Sequence, residues 1–162
     1  MRQALETSGL AASRLELEIT EGVMLEDADT ALVLMRELKA LGVRLSMDDF
    51  GTGYSSLSYL RNYPFDGIKI DRSFIADLDH SQGGQAIIEA IIGLGRALSL
   101  TVTAEGVETV EQLEELTQMN CLHAQGYHLG RPMPAETLLS LINARLAEVT
   151  PPTPPVAIEH SQ

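Results

Sequence analysis

The chain has 162 residues, enough for one domain with a real core, and its 44% hydrophobic content fits a globular rather than a disordered protein. A formal net charge of −12 argues against binding polymeric nucleic acid, which needs clustered Lys and Arg. A single cysteine, Cys121, excludes an internal disulfide framework. With no apolar run of spanning length and no signal-peptide core in MRQALETSGL, the expectation is a soluble cytoplasmic protein without a membrane segment.

In chain order, LELEIT (Leu15 to Thr20) alternates apolar and polar residues with period 2, which predicts a strand. DADTALVLMRELKALG follows with Ala31, Leu34, Met35, Leu38 and Leu41 at helical spacing, and Gly42 sits where a helix stop belongs. VRLSMD (Val43 to Asp48) predicts the second strand, and a short helical piece around Leu57 to Leu60 comes after the Gly51-Thr52-Gly53 turn. GIKID (Gly67 to Asp71) is the third strand, and a long isoleucine-rich helix covers roughly Gln85 to Leu98. TVTAEGV (Thr101 to Val107) is the fourth strand, after which Thr109 and Gln112 have the spacing of a capping box. CLHAQGYHL (Cys121 to Leu129) is the fifth, and Pro134 opens a last helix to about Leu146. The domain is expected over residues 1–149, with a Pro-rich disordered tail at 150–162.

Strands alternating with helices imply parallel pairing and right-handed crossovers, in an open sheet or in part of a (βα)8 barrel. Glu18, Asp48, Asp49, Lys69, Glu105 and Gln125 fall at or near the C-terminal ends of the five strands. In a barrel those ends converge on one mouth, whereas in an open sheet they spread along a crevice. The pattern favours an α/β fold built as an incomplete TIM-like barrel of about five parallel strands.

Between Glu16 and Asp49 there are nine acidic and three basic residues, so an anionic substrate would need divalent cations as intermediaries. Converging carboxylates suit Mg²⁺ or Mn²⁺, and a carboxylate shared by two ions is the arrangement used in phosphodiester cleavage. Lys69 could hold a phosphate oxygen or orient water, or form a structural salt bridge to Asp71 or Glu105; spacing weighs these evenly. The Gly-Thr-Gly turn reads as a plain turn before it reads as an anion cradle. Glu16, Glu26, Asp27, Asp29, Glu111, Glu114 and Glu115 read as solvated surface. His80, His123, His128 and His160 lack metal-ligand spacing, with His128 expected to pack beside the last strand, and Cys121 reads as a buried thiol.

LELEITE, MDDFGTGYSSL, FDGIKIDRSFI, TAEGVET and QGYHLGRPMP occur in this order over about residues 3 to 145. Together they resemble the EAL-domain phosphodiesterases, bacterial enzymes that hydrolyse cyclic di-GMP to linear pGpG. The resemblance implies a TIM-like barrel with two Mg²⁺ or Mn²⁺ ions and cyclic di-GMP as partner. It implies Glu18 as ligand of the first metal, Asp48 as the bridge and Asp49 as ligand of the second. Lys69 would contact water or phosphate, Glu105 would act near the second metal as a base, and Gln125 would hold water or substrate. Glu21 would anchor the Asp49-to-Ser56 loop, which in this family couples dimerisation and metal binding, with Glu108 and Asp71 as supporting acids.

The family's Glu-Ala-Leu glutamate, a nearby substrate-binding arginine and a metal-binding asparagine have no counterpart here. The expectation is therefore the C-terminal part of the domain, either impaired in hydrolysis or a remnant that binds nucleotide or protein. The missing wall would leave open strand edges, implying a homo-oligomer or completion by a missing N-terminal barrel segment. An α/β oxidoreductase is disfavoured because no Gly-rich dinucleotide fingerprint follows any strand.

Overall fold

In the computed structural model, the described residues are 1–20, 22–23, 27–52, 57–78 and 82–149. Met1–Gly130 forms one compact unit and Arg131–Gln162 a second. The first contains helix α1 (Arg2–Ser8), a 3-10 turn (Ala12–Arg14), β1 (Glu16–Thr20), α2 (Ala28–Ala40), β2 (Arg44–Phe50), α3 (Leu57–Asn62), β3 (Gly67–Ile70), α4 (Arg72–Ala76), α5 (Gln82–Leu98), β4 (Thr101–Glu105), α6 (Val110–Gln118) and β5 (His123–Gln125). The second contains α7 (Ala135–Val149). The tail at 150–162 lies outside the described residues. Among the described residues, no helix is long and apolar enough to cross a membrane.

The five strands form one parallel sheet in sequence order, β1-β2-β3-β4-β5. The sheet does not close: β1 and β5 are its two edges. This is the incomplete barrel that the alternation of strands and helices implies.

Register and the period-2 alternation of strand side chains divide the sheet into two faces. Leu17 and Ile19 stand with Leu45 and Met47, then Ile68 and Ile70, Val102 and Ala104, and Ala124. This face joins the core with Ala31 and Met35 of α2, Leu60 of α3, Ile75 of α4, Ile88, Ile91 and Ile92 of α5, and Leu116 of α6. Leu45, Met47, Ile68, Ile70, Ile75 and Ile88 are fully buried, each contributing about 1.5–3 kcal/mol. The opposite face carries Glu16, Glu18, Ser46, Asp48, Lys69, Thr103, Glu105 and Gln125, because each is offset by one residue from its apolar neighbour.

Local chemistry sets the helix ends. The Asp27 carboxylate accepts from the Thr30 N–H at 3.1 Å and opens α2, and Gly42, at φ 88°, ends it as the apolar spacing predicts. The Thr109 hydroxyl accepts from Gln112 N, while the Gln112 side chain accepts from the N–H groups of Thr109 and Glu108, completing the expected capping box. Buried Gln112 also donates from Nε2 to the Ile75 carbonyl at 3.3 Å, tying α6 to α4.

Several boundaries differ from the sequence reading, most of all at three strands. β2 runs on through Asp49 to Phe50 instead of stopping at Asp48, because a bulge lets the extra residue pass. β4 ends at Glu105, since Gly106 takes φ 74° and leaves the extended conformation. β5 is only His123–Gln125. Cys121 N–H closes the end of α6 on the Leu116 carbonyl, and Leu129 and Gly130 N–H both fold back on Gly126. Helix α4 is an element that the apolar spacing did not show. His128, expected to pack, is exposed.

Candidate functional site

β2 passes the C-terminal end of β3 with one residue too many. Met47 pairs with Ile68 and Phe50 with Ile70, so three steps on β2 span two on β3. The extra residue lies in the Asp48-Asp49 pair. Asp49 adopts φ 53°, a left-handed conformation that aspartate tolerates better than most residues. In a regular strand two neighbours point to opposite faces. With the bulge, one oxygen each of Asp48, Asp49 and Glu105 lies within 4.8 Å of the other two.

Lys69 stands on the polar face beneath this group, with its side chain only 7% exposed. Its Nζ lies 2.6 Å from Glu18 Oε1, 2.5 Å from Glu105 Oε1 and 3.5 Å from Asp48 Oδ1. Burial alone lowers the Lys69 pKa, but hydrogen bonds to Glu105 and Glu18 and the Asp48 charge outweigh it, holding the amine charged. Of the two salt bridges that spacing offered Lys69, the one to Glu105 is present, and no Lys69–Asp71 ion pair occurs among the described residues. Burial, together with the charges of Asp48 and Asp71, pushes the Asp49 carboxyl above its ordinary value.

Asp48 Oδ1 is buried and accepts no hydrogen bond. A buried carboxylate oxygen that accepts no hydrogen bond is costly even with the Lys69 amine 3.5 Å away, and most such atoms are satisfied. Beside two further carboxylates, this oxygen fits a hard divalent cation, which takes oxygen ligands. Glu18 belongs to the same network through Lys69 but stands outside the three-carboxylate group.

The remaining expected residues surround a cavity of about 440 Å³ at the ends of β4 and β5, within the range of ligand sites. Asp49, Asp71, Glu105, Glu108 and Gln125 line it. Gln125 is the register partner of Glu105 at the end of β5. Asp71 caps α4, accepting from Ser73 N at 2.9 Å and from the Ser73 hydroxyl. Burial raises the Asp71 pKa, but these Ser73 bonds outweigh it and hold the carboxyl below its ordinary value. The backbone N–H of Glu108 is fixed by Gln112 at 2.8 Å. Glu21 lies outside the described residues. Cys121 is buried, and burial pushes its thiol pKa up, which suits a core residue rather than a nucleophile.

Two lining residues escaped the sequence reading, Arg72 and Tyr127. Both stand inside the quoted motifs, directly after Asp71 and two places after Gln125. A cation at a strand end in so acidic a chain was the available signal.

A family model described as EAL domain matches residues 1–132. The chain is 51% identical over 142 residues to the bifunctional diguanylate cyclase/cyclic di-GMP phosphodiesterase MucR of Pseudomonas aeruginosa, covering 88% of this chain and 21% of that protein. It is similar to the solved PaMucR phosphodiesterase in complex with c-di-GMP, with a TM-score of 0.80 and 52% identity over 85% of this chain and 56% of that one. It is also similar to the manganese/cy-diGMP complex of Klebsiella pneumoniae BlrP1, with a TM-score of 0.73 and 34% identity over 77% of this chain and 32% of that one. The chain thus spans about a fifth of the length of the curated relatives it matches, between 17% and 22%. From its sheet, its motifs and this match, the chain belongs to the EAL-domain family, of which it holds the C-terminal part of the barrel.

Proposed function

We propose that this chain carries the C-terminal half of a metal-dependent site that hydrolyses one phosphodiester bond of cyclic di-GMP, giving linear pGpG. The observation that carries the reading is the Asp48 carboxylate: one of its oxygens lies within 4.8 Å of ligand oxygens on Asp49 and Glu105, and its buried Oδ1 accepts no hydrogen bond. Those three residues would hold Mg²⁺ or Mn²⁺, with Glu18 joining from β1 where a complete site offers a second ion position. When bound, a divalent ion neutralises charge on the phosphodiester and makes water a stronger nucleophile near neutral pH.

The chain's own residues do the rest. In hydrolysis a water oxygen bonds to phosphorus, the bond to one ribose oxygen breaks, and that oxygen leaves with a proton. Lys69, held charged, donates to a phosphate oxygen or to the attacking water. Glu105 accepts the water's proton, and Gln125 orients water or substrate from the adjoining strand. Asp71 and Glu108 border the cavity and support this geometry, and Glu21 anchors the loop after Asp49. The supporting relatives act in bacterial signalling, and this chain is taken to work in the cytoplasm, with residues 1–149 as its partial domain.

The direct test is hydrolysis of cyclic di-GMP by the purified chain with Mn²⁺, alongside Asp48→Asn. Turnover that the substitution abolishes supports the enzyme reading. A second reading, a catalytically inactive remnant that binds nucleotide or protein, draws on one observation: the sheet stays open at β1 and β5. Binding of cyclic di-GMP without turnover would favour it. The open edges also favour self-association or completion by the N-terminal barrel segment. Light scattering is expected to show species larger than a monomer, and a stable monomer would count against this part.

A further inference from the structure

We propose that a cavity at the N-terminal ends of β4 and β5 is a binding site for a small organic monocarboxylate. Its volume is about 310 Å³, at the small end of ligand sites. Arg96, Ser99, Asn120 and His123 border it, Ile92 and Val102 belong to its apolar part, and no carboxylate lines it. The cavity at the C-terminal ends of the same strands carries four acids, Asp49, Asp71, Glu105 and Glu108. Four strand steps, about 13 Å, separate Thr101 from Glu105 along β4, so the two cavities are distinct.

The turns that lead into β4 and β5 are built alike. Ser99 follows α5 at φ 59° and donates its N–H to the Arg96 carbonyl at 3.2 Å, while Leu100 N–H reaches the Gly95 carbonyl at 2.8 Å. Asn120 follows α6 at φ 61° and donates to the Thr117 carbonyl at 3.0 Å, while Cys121 N–H reaches the Leu116 carbonyl at 2.9 Å. The same left-handed stop after α2 uses Gly42, the residue type that adopts it without steric cost. Glycine would close the other two turns with less strain. A hydroxyl and an amide stand there instead, both on the rim of one cavity. The Asn120 amide makes one long bond, from Nδ2 to the Gln118 carbonyl at 3.4 Å, which leaves its second N–H as a donor.

Charge and donor chemistry select the ligand. An arginine in the last turn of a helix ordinarily serves the free carbonyls there. Backbone N–H groups already fill those of Gly95 and Arg96 on α5, and of Leu116 and Thr117 on α6. The Arg96 guanidinium makes no ion pair or hydrogen bond among the described residues. Its planar fork matches a carboxylate through two parallel bonds, and the Ser99 hydroxyl, Asn120 amide and His123 imidazole add donors around it. One fixed positive charge suits a monoanion better than a phosphate dianion. Ile92 and Val102 then take the apolar body of the acid.

The test titrates the full 162-residue chain with benzoate, its neutral isostere benzamide and inorganic phosphate, read by calorimetry and ligand-observed NMR. EDTA keeps the carboxylates at the other end of the sheet free of metal, so the outcome does not depend on the hydrolytic reading. Benzoate is expected to bind about tenfold more tightly than benzamide, and equimolar phosphate is expected to leave it in place. Arg96→Gln is expected to erase the preference for benzoate. Ser99→Gly is expected to raise the melting temperature, by relieving the left-handed turn, and to weaken benzoate about threefold by removing a donor. Equal affinity for benzoate and benzamide, full displacement by phosphate, an unchanged preference in Arg96→Gln, or undiminished benzoate binding in Ser99→Gly would each overturn the proposal. The wild-type comparison of benzoate with benzamide stands without any variant, so a misfolded variant does not rescue the idea.

Discussion

The two ends of β3 solve opposite charge problems. Just before the strand, one carboxylate meets several donors: Asp66 accepts from Lys39 Nζ at 2.6 Å through both oxygens and from Leu45 N–H at 2.8 Å. Within the strand, one amine meets several carboxylates: Lys69 reaches Glu18, Glu105 and Asp48. At the first end every oxygen is satisfied. At the second, Asp48 Oδ1 is left without a hydrogen bond and Asp49 has its pKa raised. The difference is a ratio of donors to acceptors. It separates an end that stabilises the fold from an end that stays short of positive charge, as expected for the catalytic side of a barrel.

Substitutions can break or sharpen that contrast. The largest effect is expected for Lys69→Met, which removes the amine from Glu18, Asp48 and Glu105 at once. It is expected to cost about 3 kcal/mol in urea denaturation at pH 7, the size of a broken buried ion pair. A loss near zero would mean that the carboxylates relax into water unaided.

Asp66→Ala tests the satisfied end and is expected to cost about 2 kcal/mol, since it leaves Lys39 and the Leu45 N–H without their acceptor. Burial raises the Asp66 pKa, but the Lys39 and Leu45 bonds outweigh it and hold the carboxyl below 3.8. A depressed carboxylate contributes stability above its unfolded pKa and loses it as pH falls through the folded value. The deficit of the variant is therefore expected to be full at neutral pH and to vanish in strong acid. A deficit that persists unchanged at low pH would assign it to packing.

The smallest effect has the opposite sign. Asp49→Asn removes a charge from beside Asp48 and Asp71, and is expected to raise stability without added cation by about 0.3 kcal/mol after solvent screening. The same variant is expected to respond less to Mn²⁺ in a thermal melt. A destabilised Asp49→Asn would show that the left-handed turn needs the carboxylate itself.

Much of this contrast was legible in the sequence. LELEIT and GIKI alternate with period 2, so Glu18 and Lys69 could be assigned to the polar face. The Thr109–Gln112 spacing announced its capping box because both bonds are local. The bulge was not legible, since an extra residue shows only against the partner strand, and Asp48-Asp49 reads the same with or without it. Helix α4 has five residues, too few for a helical period to repeat. The fifth strand is shorter than CLHAQGYHL suggests because backbone bonds from Leu129 and Gly130 to Gly126 turn the chain after Gln125. Arg72 was missed because its position depends on close contact with Gly106, more than thirty residues away in sequence.

The bulge also changes which mutations the site can absorb. Because β2 spends three steps where β3 spends two, the position of Asp49 is set by chain length as well as by residue type. Replacing a side chain there alters one ligand. Deleting any single residue between Met47 and Phe50 would restore an even ladder and place consecutive side chains on opposite faces. The spacing itself is thus part of the site, and alleles that shorten it are expected to be harsher than any point substitution of Asp49.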